Sequence, residues 1–247
     1  ALVVWGGGNT SIKTEQKDHL GRATKVMLIK GSGSDMKTIQ HQHFPAIRLE
    51  EILPLFDESF MSDEDMVSYL SKCMLDPSAP RPSIETLLHA FLPMKSVLHS
   101  HADAIVSLTN NSDAASILDK VYSGSVAAVE YIRPGFLLSK KVGQAFADNP
   151  ALSGVILVNH GLFTWGDTPK EAYDKHIDLV NQSEEYVRHV LGSKSIFAAV
   201  PTDSHTAHER RNLAASVAPI IRGAMGLNNR VILRYDDSSD ILNFLAS

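Results

Sequence analysis

The sequence predicts an α/β fold built in layers, and three observations carry that expectation. Short apolar runs of strand type alternate with helical periodicities along the whole chain. Two early runs feed directly into glycine loops. Caps and Pro/Gly breaks separate the elements, while no internal repeat or low-complexity tract is present.

Residues 1–5 read as a strand running into Gly6-Gly7-Gly8-Asn9, and residues 25–29 as another running into Gly31-Ser32-Gly33-Ser34-Asp35. Ser62 is an N-cap for a helix over 62–75, with acids in its first turn and Met66, Tyr69, Leu70, Cys73 and Met74 on one stripe. The Pro-rich run 76–82 breaks it, Ser83 caps a short helix carrying Glu85, Leu87, Leu88 and Phe91, and 96–100 is a strand. Helical spacings at 104–109 and 113–122 precede a strand at 126–132, the turn Arg133-Pro134-Gly135 and a helix to about Ala147. Residues 154–158 form a strand of buried type, and 162–165 follow it. The long helix from Thr168 has Pro169 in its first turn and an expected stripe of Tyr173, Ile177, Val180, Val187 and Leu191. A connection to Ser204, a helix near 205–224, a strand at 230–235 and a helix near 239–245 complete the pattern. Residues 1–200 are expected as the core, and 201–247 as an extension packed on it.

At 247 residues, 44% of them hydrophobic, the chain can bury a substantial core, which excludes disorder as its main state. A net charge of −5 gives nucleic acid or an anionic membrane no broad basic face, so an anion must be held locally. The single cysteine, Cys73, cannot form an intrachain disulfide; it reads as a small buried hydrophobe and favours a cytoplasmic protein. Apolar runs fall far short of the roughly 20 residues that cross a bilayer, and no signal-peptide pattern opens the chain. The start in an apolar run without Met reads as a trimmed N-terminus.

The sharpest chemical feature is His99-Ser100-His101. Residues two apart in a strand face the same way and can offer two imidazoles to one metal ion. His41-Gln42-His43 has the same spacing in a polar stretch and reads as a solvated loop. His160, at the end of an apolar strand and before Gly161, supplies a third imidazole; three neutral imidazoles leave a tetrahedral zinc one open position, the arrangement of a catalytic site. The bland reading is three unrelated histidines. Glu85 could ligate the metal, move protons, or be an ordinary first-turn acid. Ser83 and the backbone N–H groups beside it form an anion site that the two glycine loops could extend. His89 shares a helical face with Glu85 and reads more simply as a packing residue. The glycine loops lack the last glycine of a dinucleotide fingerprint, and P-loop, HExxH and GxSxG motifs are absent, which removes nucleotide hydrolysis, zincin and esterase chemistry.

In order, Gly8-Asn9-Thr10-Ser11, the run from Ile29 to Asp35, Pro82-Ser83-Ile84-Glu85, His99-Ser100-His101 and Asn159-His160-Gly161 resemble the class II aldolase/adducin family. Residues 81–104 are most similar to the aldolase half of bifunctional proteins that join a rhamnulose-1-phosphate aldolase-like domain to a short-chain dehydrogenase. The resemblance implies a three-layer α/β/α sandwich around a central, largely antiparallel sheet. It also implies a homo-oligomer, usually a cyclic tetramer with sites between subunits, and a covalently linked dehydrogenase domain in a longer parent chain. It makes His99, His101 and His160 ligands of Zn²⁺, Glu85 the acid/base that also touches the metal, and Asn9, Ser32, Gly33 and Ser83 the holders of a substrate phosphate.

The implied reaction is aldol cleavage of a small ketose phosphate, rhamnulose-1-phosphate-like, to dihydroxyacetone phosphate and an aldehyde. Zinc would stabilise the enediolate as a Lewis acid. Rival readings are a sugar-phosphate 4-epimerase of the same family, a non-catalytic adducin-like interaction module, and a purely structural zinc with Glu85 as fourth ligand. The three histidines argue against the module. Ile84 stands where the family often has a second Ser, which removes a phosphate donor. Glu130 and Arg133 read as surface residues, and Tyr122, Tyr131, Tyr173, Tyr186 and Tyr235 as packing residues.

Overall fold

Among the described residues seven strands build one sheet: β1 (Asn9–Lys17), β2 (Ala23–Ile29), β3 (Ala46–Arg48), β4 (Ser96–Ser100), β5 (Val126–Val129), β6 (Gly154–Leu157) and β7 (Gly161–Gly166). Their order is β3-β2-β1-β4-β7-β6-β5, and each neighbouring pair is antiparallel except β5 and β6. The computed structural model describes residues 1–4, 7–192, 205–226 and 230–245, in two units, 1–187 and 188–247. The expected connection to Ser204 and the expected boundary at 200/201 fall outside the described residues.

The first unit's helices are α1 (Leu49–Ile52), α2 (Asp63–Lys72), α3 (Thr86–Phe91), α4 (Asp103–Thr109), α5 (Ala114–Tyr122), α6 (Phe136–Asp148) and α7 (Pro169–Leu191), whose last turn passes into the second unit. Alternation along the strands sorts them into layers. Val97, Val155, Leu157, Phe163 and Trp165 face one side and pack with Leu88 of α3 and with Leu138 and Val142 of α6. Ile156 and Leu162 face the other and pack with Ile105, Leu118, Leu179 and Val180 of α4, α5 and α7. Met27, Ile29 and Ile47 extend the first side under α1 and α2 through Ile52, Met66 and Leu70. The result is the expected three-layer sandwich. The apolar stripes supply the adhesion, since fully burying one such side chain contributes about 1.5–3 kcal/mol.

The predicted α2 cap is present: Ser62 Oγ accepts from the Asp65 N–H at 3.1 Å, ahead of the acids of the first turn. Other expectations are corrected. Residues 1–4 form no strand, Trp5 lies outside the described residues, and the first strand begins instead at Asn9. The strand expected over 126–132 stops at Val129. The buried face of α7 is Ala172, His176, Leu179, Val180 and Ser183, one step round from the expected stripe, and Tyr173 is exposed. In the second unit, α8 (Ala207–Met225) opens with a Thr206/Glu209 capping box and α9 (Ser239–Leu245) matches its expected span. The strand expected over 230–235 is irregular backbone.

Candidate metal and acid/base site

Three chain segments converge at one end of the sheet. His99 is the next-to-last residue of β4, opposite Asn9 of β1 and Phe163 of β7. His101 follows the strand's end. His160 sits in the turn from β6 to β7, where Asn159 takes the left-handed φ of 59° that its short polar side chain tolerates. Gly161 completes the turn: a Cβ there would collide with the Ser100 carbonyl oxygen and stand 3.2 Å from His99 Cε1. Glu85 occupies the cap position before α3, which lies over the same face as His99.

The inward atoms form a tight cluster. His101 Nε2 lies 3.0 Å from His99 Nε2 and 3.1 Å from His160 Nε2. Glu85 Oε1 lies 3.3 Å from His99 Nε2 and 3.1 Å from His160 Nε2. All four candidate ligand atoms fall within 4.8 Å of one another. Ligands bound at about 2.0–2.1 Å in a tetrahedron stand about 3.3 Å apart, so these spacings suit a small divalent cation. The ring contacts agree. His99 Nδ1 donates to the Leu162 carbonyl oxygen at 3.1 Å, which leaves its Nε2 lone pair facing the cluster. Its ring stacks on Phe163 with centroids 4.1 Å apart, and Gly7 gives His101 room, because a Cβ there would lie 2.9 Å from His101 Nδ1.

Electrostatics reinforce the arrangement. Burial alone would raise the Glu85 carboxyl, but the adjoining His99 and His160 outweigh it and hold the group well below the usual carboxylate range. Burial, aided by His99 and His160, brings His101 down to about 4, so the imidazole is neutral and available to a metal at neutral pH.

Of the four residues expected to hold a phosphate, Asn9 and Ser83 are joined to Glu85 by hydrogen bonds, and Ser32 shares a cleft with Ser83. Ser32 and Ser83 line one cleft of about 210 Å³ with Arg81, Pro82 and Ile84. Two backbone bonds join the glycine loop to the segment before α3, Ser32 N–H to the Arg81 carbonyl and Ser83 N–H to the Lys30 carbonyl. Gly33 follows with φ of 79°. Asn9 reaches the other way, its Nδ2 donating to Ser83 Oγ at 3.1 Å and to Glu85 Oε2 at 2.5 Å.

Two residues near the site carry more than the sequence reading gave them. His89 is fully buried, yet both ring nitrogens are hydrogen-bonded, to Asn9 Oδ1 and to Ser11 Oγ, so packing alone does not describe it. Lys30 is 3% exposed, and its charge acts on Glu85; burial lowers its pKa, partly offset by Glu85 and Asp35. The available signal was a lysine ending an apolar strand at a glycine loop. The other histidine pair, His41 and His43, lies on a single exposed 3-10 turn, and Glu130 and Arg133 are exposed, as expected. Tyr131 and Tyr235, like Tyr173, are exposed rather than packed, whereas Tyr122 is buried.

The fold and the cluster define a class, and comparison with known proteins gives its family. Residues 1–187 match the Class II Aldolase and Adducin N-terminal domain, and the chain belongs to that family. It is 43% identical over 243 residues to the "Uncharacterized oxidoreductase YuxG" of Bacillus subtilis (strain 168), a match that covers 98% of this chain and 35% of that relative. The chain thus spans about a third of the length of the curated relative it matches. The N-terminal class II aldolase domain of a conserved protein from Thermoplasma acidophilum superposes with a TM-score of 0.71 at 48% identity, covering 75% of this chain and 86% of that one. A sugar-phosphate aldolase from Thermotoga maritima shares the fold, with a TM-score of 0.58 at 16% identity over 78% of this chain and 90% of that one. Among the described residues no helix is long and apolar enough to cross a membrane.

Proposed function

We propose that this chain is a zinc-dependent aldolase that cleaves and forms the carbon–carbon bond of a small ketose phosphate, rhamnulose-1-phosphate-like, with dihydroxyacetone phosphate and an aldehyde as the fragments. The observation that carries the reading is the convergence of His99, His101, His160 and the Glu85 carboxylate within 4.8 Å, next to the Ser32/Ser83 cleft. His99, His101 and His160 would hold the cation, and Glu85 touches the same centre through Oε1. When bound, a divalent cation supplies Lewis-acid stabilisation of negative charge on the substrate's oxygen atoms.

The chain's own residues handle the proton and the phosphate. Glu85, held in its ionised form, would take a proton from the carbon beside the carbonyl in the condensation direction and pass it to the new alkoxide oxygen; in cleavage it would take that hydroxyl proton as the carbon–carbon bond breaks and deliver it to the carbon beside the carbonyl. Ser32, Gly33 and Ser83 hold the phosphate through hydroxyl and backbone donors, and Asn9 ties Ser83 to Glu85 so that the phosphate and proton positions keep a fixed spacing. On the same reading we assign a cytoplasmic homo-oligomer, a tetramer, with buried Cys73 as its single thiol.

The test is aldehyde release from a panel of ketose 1-phosphates by purified protein reconstituted with zinc, with a chelator-treated control. Metal-dependent release with dihydroxyacetone phosphate as co-product supports the reading. Interconversion of 4-epimers without fragments would replace it with the epimerase, and one tightly held zinc with no turnover would replace it with a structural site.

A further inference from the structure

Beneath Glu85 lies a line of buried polar groups, of which the proposed reaction uses Asn9 and leaves Ser11 and His89 without a role. Asn9 and Ser11, on the face of β1 covered by α3, and His89 of α3 itself are all buried, at 3%, 3% and 0% exposure. The hydrogen-bond directions follow from the Glu85 end, with His89 neutral because burial holds its ring well below the usual imidazole range. The Glu85 carboxylate can only accept, so Asn9 presents its Nδ2 group to Oε2, at 2.5 Å. The other end of that amide, Oδ1, is then an acceptor turned towards His89 Nε2. His89 Nε2 must carry the imidazole proton, which leaves Nδ1 bare to accept from the Ser11 hydroxyl at 2.8 Å. Donation therefore runs one way, from Ser11 to His89 to Asn9 to Glu85.

An asparagine amide has two orientations of nearly the same shape, so its hydrogen-bond partners at both ends decide between them. Turned over, Asn9 would aim its oxygen at the Glu85 carboxylate and its NH₂ at a ring N–H, which creates two repulsive contacts in a buried setting. We propose that His89 is a positioning residue: locked as the Nε2–H tautomer, it fixes the Asn9 amide with NH₂ towards Glu85 and so holds Oε2 while Oε1 faces the histidine cluster. The inference rests on Glu85 being the proton carrier of the proposed reaction. It adds a role for His89, which touches neither the cation site nor the cleft through any hydrogen bond of its own ring.

The ring's packing offers a control, because His89 meets Phe163 edge to face with centroids 5.3 Å apart. His89→Phe keeps an aromatic ring there and removes the donor, whereas His89→Gln loses the ring and can keep an N–H directed at Asn9 Oδ1. For a positioning role, His89→Phe lowers kcat by on the order of 10- to 100-fold with KM little changed, and His89→Gln recovers most of it. A merely structural role predicts the opposite order, with the phenylalanine variant active and the glutamine variant impaired, and that result overturns the inference.

A second measurement needs neither a variant nor turnover. Imidazole ¹⁵N NMR on the metal-free and zinc-loaded wild-type protein should show His89 neutral, protonated at Nε2 and bare at Nδ1, in both forms. An Nδ1–H tautomer or an imidazolium at neutral pH overturns the proposal. If the wild type cleaves no ketose phosphate, the aldolase reading fails, and the tautomer still decides the role of His89.

Discussion

Ser100 Oγ lies 2.6 Å from His176 Nε2, on the sheet face turned away from His99 and His101. Thr164 Oγ1 donates its one proton to the Ala172 carbonyl oxygen at 3.0 Å and accepts from His176 Nδ1–H at 2.8 Å. His176 Nε2 is therefore bare, and Ser100 donates to it. A neutral, buried imidazole thus ties α7 to the residue between His99 and His101, and the clamp depends on its staying neutral.

That requirement sets a pH dependence. Burial, with a smaller contribution from His99, holds His176 down to about 4, against 6.5 for a free imidazole. Between these values the unfolded chain binds more protons than the folded one, so stability falls as pH falls from about 6.5 to about 4. The full loss from this group is about 3 kcal/mol. Urea titrations at a series of pH values should show that decline, and in His176→Gln its share should vanish while the variant is less stable at pH 7.

Lys13 is the second clamp. Its Nζ donates to the carbonyls of His89, Leu92 and Met94 at 2.9, 2.6 and 2.9 Å, which occupies all three ammonium protons at the C-terminal end of α3. Burial draws its pKa down to about 7. Lys13→Met should cost about 2–4 kcal/mol by leaving those carbonyls unmet, read as a lower urea midpoint with an unchanged slope.

Lys13 also explains why β1 was hidden in the sequence. Asn-Thr-Ser-Ile-Lys-Thr-Glu-Gln-Lys has no apolar alternation, yet Asn9, Ser11 and Lys13 all point at α3 and are satisfied there by Glu85, His89 and three carbonyls. Pattern reading equates an inward face with apolar residues, and this inward face is polar because the site lies beneath it. The His99/His101 pair was legible for the opposite reason: apolar Val97 and Leu98 announce the strand that aligns the rings, while His41 and His43 have no such strand. The expected strand at 230–235 failed because alternation supplies no partner; those residues pair with nothing among the described strands.

The His160 turn gives a sharper test of how the cluster is assembled. Gly161 packs so closely on the Ser100 backbone that Gly161→Ala must push β7 away from β4 or rotate the turn. Either movement carries His160 away from His99 and His101. The variant should lose at least about 2 kcal/mol of stability and bind zinc on the order of tenfold or more weakly. Native-like stability with native zinc affinity would show that the turn does not set the ligand geometry.

Glu85→Gln separates the two duties of the carboxylate. The side chain keeps its shape and its oxygen can still accept from Asn9 Nδ2, so the wiring beneath it survives. The ability to take and return a proton is lost, and with it the negative charge beside His99 and His160. If proton transfer is its main task, aldol cleavage falls by on the order of 10²- to 10⁴-fold while zinc stays near one per chain, because three imidazoles still hold it. If ligation dominates, zinc content and activity fall together, and added zinc restores part of the rate. Aldehyde release measured alongside metal content on the same samples distinguishes the two, and unchanged turnover at full zinc occupancy would remove Glu85 from the chemistry.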